Sequence, residues 1–392
     1  MYLNQIQGKR KRMNREDWLD RVKGIACIIV FLNHFFLTFR YVCLGLNEIV
    51  LLRPFHVLIN GNYGVCIFLL ISAYVISVPI YRQKDFGKVQ KTLFKRYPRL
   101  MLPVFFSSLF AYFLYTLGGY YNQEIGSILG NQWLMGKYTE PLTLKNLFLS
   151  SLIKVWWNGD ASFNAPFWML QILFFGTFLT VIVTMITTIE KQYGVLILVL
   201  LAGIYTYLSS IYLCFILGML LAYLKCKTNF WEKWRQIRGF WGINIALLIA
   251  SFCLPGYADD IIEYIDCIFP ESAYVCNSSF YNIIGSFLLI FFLMGMERIK
   301  KLLEKSKVLK GVSQISFSIY LIHWPVICSL SCFLYLKLQG LDMEKNIVCT
   351  IIFVITVITV AIVAKIFHEL VEKRICNKVV AKICERYFEK SI

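Results

Sequence analysis

Two histidines lie deep within long apolar segments, where an ionisable side chain is costly and is therefore a functional candidate. His34 follows DRVKGIACIIVFLN, and His323 follows GVSQISFSIYLI. A neutral imidazole at neutral pH is a good general base for a hydroxyl group. The pair therefore predicts group transfer at membrane depth with both histidines catalytic. The alternative is that each is a buried hydrogen-bonding residue.

Helical spacing places further polar groups on the same faces as the histidines. Lys23 precedes His34 by eleven residues, which is three turns plus about 20° and about 16 Å along the axis. A cation at the mouth of the first segment thus shares a face with a mid-depth imidazole. In the later segment Ser316, Tyr320 and His323 form a single stripe. The two stripes predict one shared polar interior.

A basic loop and two isolated polar residues complete the candidates. Arg96 and Arg99 are neighbours on a helix in KRYPRLMLP, and planar guanidinium groups suit phosphate. Anionic lipid headgroups are the alternative partner for this pair. Ser72 lies near the middle of its segment and Gln171 in the outer half of its own, where interhelical hydrogen bonding is the alternative role.

Composition indicates what must position these residues. The chain has 392 residues, of which 58% are apolar and 16% charged, with a mean hydropathy of +0.63. A soluble chain has about 25% charged residues. The net charge of +17 lies in short runs between apolar segments, which excludes a nucleic-acid-binding domain as well as a soluble enzyme. The thirteen cysteines contain no CxxC pair and are expected to act as small apolar residues, with no metal site.

We predict an all-α integral membrane protein, a bundle of about ten transmembrane helices. A crossing needs roughly 20 mostly apolar residues. The predicted spans are 24–41, 59–80, 100–118, 165–188, 193–208, 209–224, 239–255, 280–296, 314–336 and 346–367. A single helix over 193–224, giving nine spans, is the alternative.

Charge favours ten spans with both termini cytoplasmic. That topology places 33 of the 40 Lys and Arg residues inside and the acidic stretch 255–279 outside, as the positive-inside bias requires. We expect no cleaved signal peptide, a transmembrane domain over 1–375 and a basic cytoplasmic tail over 376–392. The long outer loop 119–164 contains Trp133, Trp156 and Trp157, which could stack on a sugar ring or form an interfacial belt.

The chain resembles the acyltransferase 3 family of integral-membrane acyltransferases from about residue 16 to 375. The resemblance rests on seven motifs in family order: LDRVKGIACIIVFLNH, GNYGVCIFLLISAY, KRYPRLMLP, APFWMLQILFF, FILGMLLAYL, ISFSIYLIHWPV and HELVEK. Each motif is weak alone, and their order makes them specific. Many relatives carry an additional extracytoplasmic domain, and this chain is expected to lack one.

The resemblance implies transfer of an acyl group, usually acetyl from acetyl-CoA, to a hydroxyl of an envelope glycan or lipid-linked saccharide. It implies a catalytic role for His34, and contacts of Arg96 and Arg99 with CoA. Lys23 stands where the family usually has Arg, and Gln171 where it often has Glu, which argues against Gln171 as an acid or base. The residues expected to line the site are Asn33, Ser72, Trp168, Gln171, Ser316, Tyr320 and Trp324.

The predicted mechanism is that of an O-acetyltransferase in the plasma membrane. Acyl-CoA docks from the cytoplasm as a co-substrate, with no permanently bound cofactor, and His34 aided by His323 either deprotonates the acceptor or transiently takes the acyl group. Membrane lipids and the acceptor are the expected partners, with a separate protein as a route to an extracytoplasmic acceptor. The main alternative is a transporter or flippase in which the histidines relay protons. A non-catalytic assembly or sensor component is the third.

Overall fold

The computed structural model describes residues 16–39, 42, 55–83, 86–190, 192–258, 261, 278–341 and 343–388. This part of the chain contains helices, turns and short 3-10 or π segments, and no strand, which confirms the all-α prediction. The helices are α1 (Asp17–Thr38), α2 (Gly61–Gln83), α3 (Phe86–Thr116), α4 (Asn122–Leu129), α5 (Gln132–Met135), α6 (Leu144–Leu149), α7 (Val155–Trp157), α8 (Trp168–Ile189), α9 (Gly194–Tyr207), α10 (Leu213–Lys227), α11 (Phe230–Gln236), α12 (Phe240–Gly256), α13 (Ser278–Gly295), α14 (Glu297–Lys305), α15 (Lys307–Val326), α16 (Cys332–Leu338), α17 (Lys345–Phe367) and α18 (Asn377–Phe388).

Six helical stretches of the described chain are long and apolar enough to cross a membrane. They are Asp17–Thr38, Gly61–Arg82, Leu93–Thr116, Ala165–Ile189, Lys307–Leu338 and Lys345–Tyr387. Two pairs, α10 with α11 and α13 with α14, bend by 86° and 94° and raise the number to eight if each pair is one span. The protein is therefore a multi-pass membrane protein by the length and composition of its helices.

A helix lies at each of the ten predicted positions, but the count of ten crossings is not confirmed. α9 has 14 residues, about 21 Å of helix against a hydrocarbon core of about 30 Å. The alternative of one helix over 193–224 is wrong, because α9 ends at Tyr207 and Ser209 turns the chain with φ of 48° before α10. The sidedness of the termini stays a prediction, and the acidic residues 259, 260, 263, 266 and 271 lie outside the described residues.

Helix α2 lies at the centre of the bundle and contacts α1, α8, α10 and α13. Its sequence is apolar all round, which is typical of a helix buried on every side. Gly64 allows the approach of α1, because a Cβ there would lie 2.8 Å from the carbonyl oxygen of Ala26. Helix α15 packs against the other side of α1. The two helices that carry His34 and His323 are therefore direct neighbours.

Helix α17 continues through a π segment, His368–Cys376, into α18, which packs on α3. His368 Nδ1 lies 3.1 Å from a carboxylate oxygen of Glu372. The boundary between a domain over 1–375 and a tail over 376–392 stays a prediction. Among the described residues, seven of the nine free cysteines are buried, whereas Cys349 is disulfide-bonded and departs from the expected role of these residues.

Candidate active site

The two histidines meet inside the bundle, although 289 positions separate them in the chain. His323 Nε2 lies 3.2 Å from His34 Nδ1, and the ring centroids are 5.1 Å apart. His323 is fully buried and His34 is partly buried. The matched depth predicted from spacing therefore corresponds to direct contact between the imidazoles.

The hydrogen bonds of the pair define where its protons lie. Nδ1 of His34 is 2.9 Å from the Val30 carbonyl oxygen, and Nδ1 of His323 is 2.9 Å from that of Ile319. A carbonyl oxygen can only accept, so we assign a hydrogen to each Nδ1. In that tautomer His323 Nε2 accepts from His34 Nδ1, and His34 Nε2 keeps a free lone pair. An unprotonated nitrogen is what a general base requires.

A proline two residues beyond His323 fixes α15 at this level. Pro325 has no N–H to bond the carbonyl of Leu321, four residues earlier. That freed carbonyl oxygen accepts from Ser107 Oγ at 2.8 Å and from Asn164 Nδ2 at 2.7 Å. Two other elements, α3 and the segment before α8, are thereby tied to α15 beside the imidazole pair.

A small cavity adjoins His34, and we call it the His34 cavity. Three of the predicted site residues, Asn33, Trp168 and Tyr320, line it together with His34. The Asn33 amide donates to the Ile59 carbonyl oxygen at 3.0 Å, so it anchors the chain before α2. Tyr320 donates its hydroxyl to the carbonyl oxygen of Pro166.

A second small cavity lies along α1 between Ala26 and Val30, and we call it the lower cavity. Its other lining residues include Cys27, Phe68 and Ser316. The two cavities share Val30, Val65, Met169 and Tyr320 in their walls. They are therefore adjacent and follow α1 towards His34.

Lys23 lies near the other end of α1 from His34, whereas Arg96 and Arg99 lie on α3. Lys23 Nζ is 5.4 Å from the ring centroid of Phe68, a wall residue of the lower cavity. Arg99 is exposed, and Arg96 has its Nε buried with no hydrogen-bond partner among the described residues. Neither arginine belongs to the walls of the two cavities. In the described part of the chain, these two cavities are therefore lined by His34 and not by either guanidinium group.

Ser72 and Gln171 serve local hydrogen bonds instead of lining these cavities. Ser72 Oγ donates to the Phe68 carbonyl oxygen of its own helix at 2.7 Å. Gln171 Nε2 donates to the Trp157 carbonyl oxygen at 2.5 Å and ties α8 to the end of α7. Their assignment to the substrate site stays a prediction.

Sequence reasoning did not identify three residues close to the site. Trp133 stacks on the His34 ring at 6.2 Å, and Lys137 Nζ lies 5.0 Å over the Trp133 ring. Arg21 is buried and donates to Ser313 Oγ at 2.8 Å. The sequence predicts for Trp133 either sugar stacking or a place in an interfacial belt, and no local spacing pairs residue 133 with residue 34.

No group of three or more His, Cys, Asp or Glu side chains able to hold a metal ion occurs in the part of the chain that the structure describes.

A family model described as an acyltransferase domain, Acyl_transf_3, matches residues 16–366. No curated protein and no solved structure matches the chain. The matched range contains both histidines, Lys23 and the arginine pair.

Proposed function

The chain belongs to the acyltransferase 3 family, and from that premise we propose that it transfers an acyl group, acetyl from acetyl-CoA, to a hydroxyl of a cell-envelope glycan, a lipid-linked saccharide or a related acceptor. The observation that carries the proposal is the contact between His34 and His323 at 3.2 Å. It gives one imidazole a free nitrogen and a partner that can support a positive charge.

The proposed reaction uses His34 as the general base. His34 Nε2 takes the proton of the acceptor hydroxyl while the hydroxyl oxygen attacks the carbonyl carbon of the thioester. The new C–O bond forms, the C–S bond breaks, and the CoA thiolate takes the proton back from the imidazolium. His323 Nε2 and the Val30 carbonyl oxygen both face Nδ1 of His34 and stabilise that imidazolium.

The two adjacent cavities support a route for the donor. In this proposal the acyl-pantetheine arm occupies the lower cavity and the His34 cavity, and the phosphates stay near Lys23, Arg96 and Arg99. The lower cavity is mainly apolar, which suits an alkyl chain better than a phosphate. With the termini in the cytoplasm of a plasma-membrane protein, this end faces the pool of acyl-CoA.

Labelled acetyl-CoA given to purified protein tests the proposal. We expect wild type to release CoA and the His34→Ala variant to lose about 100- to 10,000-fold in rate, the usual range for a general base. His368→Ala is the matched control, because His368 lies beyond the far end of α17 and pairs with Glu372. A normal rate in His34→Ala would remove His34 from the chemistry. No turnover by any variant, wild type included, would contradict the assigned donor.

A further inference from the structure

A long groove lies between α3, α8 and α18, apart from the two cavities beside His34. It has a volume of about 1200 Å³, and no residue of its walls lines either cavity. We call it the tail groove, since α18 is the last helix that the structure describes. Neither Arg96 nor Arg99 is among its wall residues. The groove is therefore a separate site from those proposed for the donor.

The walls of the tail groove are single faces of three helices. On α3 the wall residues follow the i, i+3, i+4 and i+7 pattern of one helical face from Gln90 to Met101, about 16 Å of helix. Phe174 and Phe178, one turn apart, line it from α8, and Ile383 lines it from α18. The groove therefore runs along α3.

The walls contributed by α3 and α8 are largely apolar and face the membrane. Phe94 and Phe178 are exposed, and each lies in a stretch that is long and apolar enough to cross a bilayer. The rings of Tyr97 and Phe174, 6.1 Å apart, join the two walls. An empty apolar groove beside lipid would lack the dispersion contacts that an alkyl chain supplies. These walls therefore suit a hydrocarbon chain.

Two cations lie at the end of the groove where the apolar stretch of α3 begins. Lys382 and Arg386, one turn apart on α18, are wall residues and are exposed. Next to Arg386, the ring of Tyr387 lies 5.5 Å from that of Phe94, one residue inside the apolar stretch Leu93–Thr116. The cations therefore lie at the boundary of the membrane, where lipid headgroups are.

The charge of these two cations is not fully neutralised by the protein. Glu385 is the only carboxylate among the described wall residues of the groove. Neither Lys382 nor Arg386 forms an ion pair with another residue of the described ranges. A guanidinium group and an ammonium group side by side suit a phosphate.

The wall formed by α18 is held in place by a neighbouring face of the same helix. Val380 and Cys384 are buried and pack with Leu102 of α3. One turn before Val380, the Cys376 thiol donates to the Arg99 carbonyl oxygen at 3.7 Å. Because these contacts hold α18 against α3, the groove exists before any ligand binds.

We propose that the tail groove binds an anionic phospholipid, with an acyl chain along α3 and the phosphate at Lys382 and Arg386. Such a lipid supplies a chain for the apolar walls and a negative charge for the two cations. A zwitterionic lipid would bring a quaternary ammonium group close to the same cations, which opposes its binding. The inference concerns lipid binding and does not depend on the proposed acyl transfer.

Native mass spectrometry of the purified full-length protein in detergent tests the site. The probes are phosphatidylglycerol, phosphatidylcholine with the same chains, and glycerol 1-phosphate, which carries an anionic phosphate without chains. We expect the wild type to bind phosphatidylglycerol with a Kd about tenfold lower than that for phosphatidylcholine, and to bind no glycerol 1-phosphate.

Charge variants on the surface of α18 locate the phosphate. The double variant Lys382→Gln/Arg386→Gln should raise the Kd for phosphatidylglycerol about tenfold and leave that for phosphatidylcholine nearly unchanged. The matched control is Arg374→Gln/Lys378→Gln, which removes two exposed cations from the preceding turns that line no part of the groove. Ile383→Trp fills the groove from α18 and should weaken the binding of both lipids. Thermal unfolding verifies that each variant is folded.

Four results would overturn the proposal. The first is an equal Kd of the wild type for the two lipids, and the second is an equal loss of phosphatidylglycerol binding in the control pair. The third is displacement of the bound lipid by glycerol 1-phosphate, which would make the site one for a free phosphate ester. The fourth is displacement by acetyl-CoA, which would assign the groove to the donor instead.

Discussion

His323 accepts a hydrogen bond from His34 at 3.2 Å, through the nitrogen that its own bond to Ile319 leaves unprotonated. Among the residues that the structure describes, no acidic side chain hydrogen-bonds His34. A backbone carbonyl and a second imidazole take the place of the carboxylate found in many catalytic triads. The pair is thus neutral at rest, which avoids an isolated charge in the hydrocarbon.

The role of the His323 nitrogen that accepts this hydrogen bond can be tested by two substitutions, one that removes the acceptor and one that replaces it. His323→Phe removes the acceptor, and we expect kcat to fall about 10- to 100-fold with the acetyl-CoA KM unchanged. His323→Gln offers an amide oxygen in its place and should recover part of the rate. Steady-state kinetics in detergent measure both. Equal losses in the two variants would show that this hydrogen bond is not what His323 contributes.

The lower cavity can be closed from α15. Ser316→Leu adds an isobutyl side chain to its wall, so we expect acetyl-CoA turnover to fall at least tenfold because the donor arm cannot pass. Gln314→Leu adds an apolar side chain at an exposed position of the same helix and serves as the control. CoA release from acetyl-CoA, together with thermal unfolding of both variants, checks the prediction. Wild-type turnover by folded Ser316→Leu would rule out this route.

The arginine pair can be tested with a donor that lacks phosphates. We expect the double variant Arg96→Gln/Arg99→Gln to raise the KM for acetyl-CoA about tenfold or more, since each lost charged contact costs roughly 1.5–3 kcal/mol. S-acetyl-pantetheine has no phosphate, so its KM should be the same in variant and wild type. Arg298→Gln, an exposed arginine of α14, is the control. Equal effects on both donors would indicate a structural role for the pair.

Ser209 predicts a stabilising substitution away from the site. Its φ of 48° lies in the left-handed region, which costs a residue with a Cβ about 1–2 kcal/mol. Ser209→Gly should therefore raise the Tm of the purified protein. Ser210→Gly should not, because Ser210 Oγ accepts from the Tyr212 N–H at 3.3 Å and its φ is not in that region. A lower Tm for Ser209→Gly would contradict the assigned strain.

Glu297, on the short helix α14 beyond the right-angle break, predicts a pH effect on stability. Burial raises the pKa of Glu297, but the hydrogen bond and charge of Lys300 and the charge of Arg235 outweigh it and hold the pKa below its ordinary value. A depressed carboxyl pKa stabilises the fold above the unfolded-state pKa, and the benefit is lost as pH falls through the folded-state value.

We therefore expect Glu297→Gln to lower the Tm at pH 7 and the difference from wild type to shrink towards pH 3. Thermal unfolding across that range measures it. Glu304→Gln, an exposed carboxylate of the same helix, should show no such trend. A difference that does not change with pH would attribute the effect to packing.

Periodicity predicted the parts of the site that lie along a single helix. The distance of His34 from Lys23, and the stripe that holds Ser316, Tyr320 and His323, are properties of one helix. Both stripes face the same interior, and Tyr320 and Ser316 line its cavities.

The parts that depend on contacts between distant segments were not predictable in this way. Trp133 reaches His34 from the loop that follows α3, and no spacing in the sequence encodes that contact. The side-chain amides of Asn33 and Gln171 donate to backbone carbonyl oxygens of neighbouring segments. A hydropathy pattern does not reveal these hydrogen bonds. The ten-span count assumed straight helices of full length, whereas α10 and α13 each end in a sharp bend.

The indoles of Trp133 and Trp324 have a consequence for the membrane itself. If the proposed donor and acceptor enter from opposite ends, an open path between them would act as a pore and discharge the ion gradients across the bilayer. The two indoles, in edge-to-face contact with centroids 5.1 Å apart, would insulate the two ends of such an enzyme from each other. Under the proposed function, only the acyl group would then pass from the donor's end to the acceptor's end, one group in each turnover.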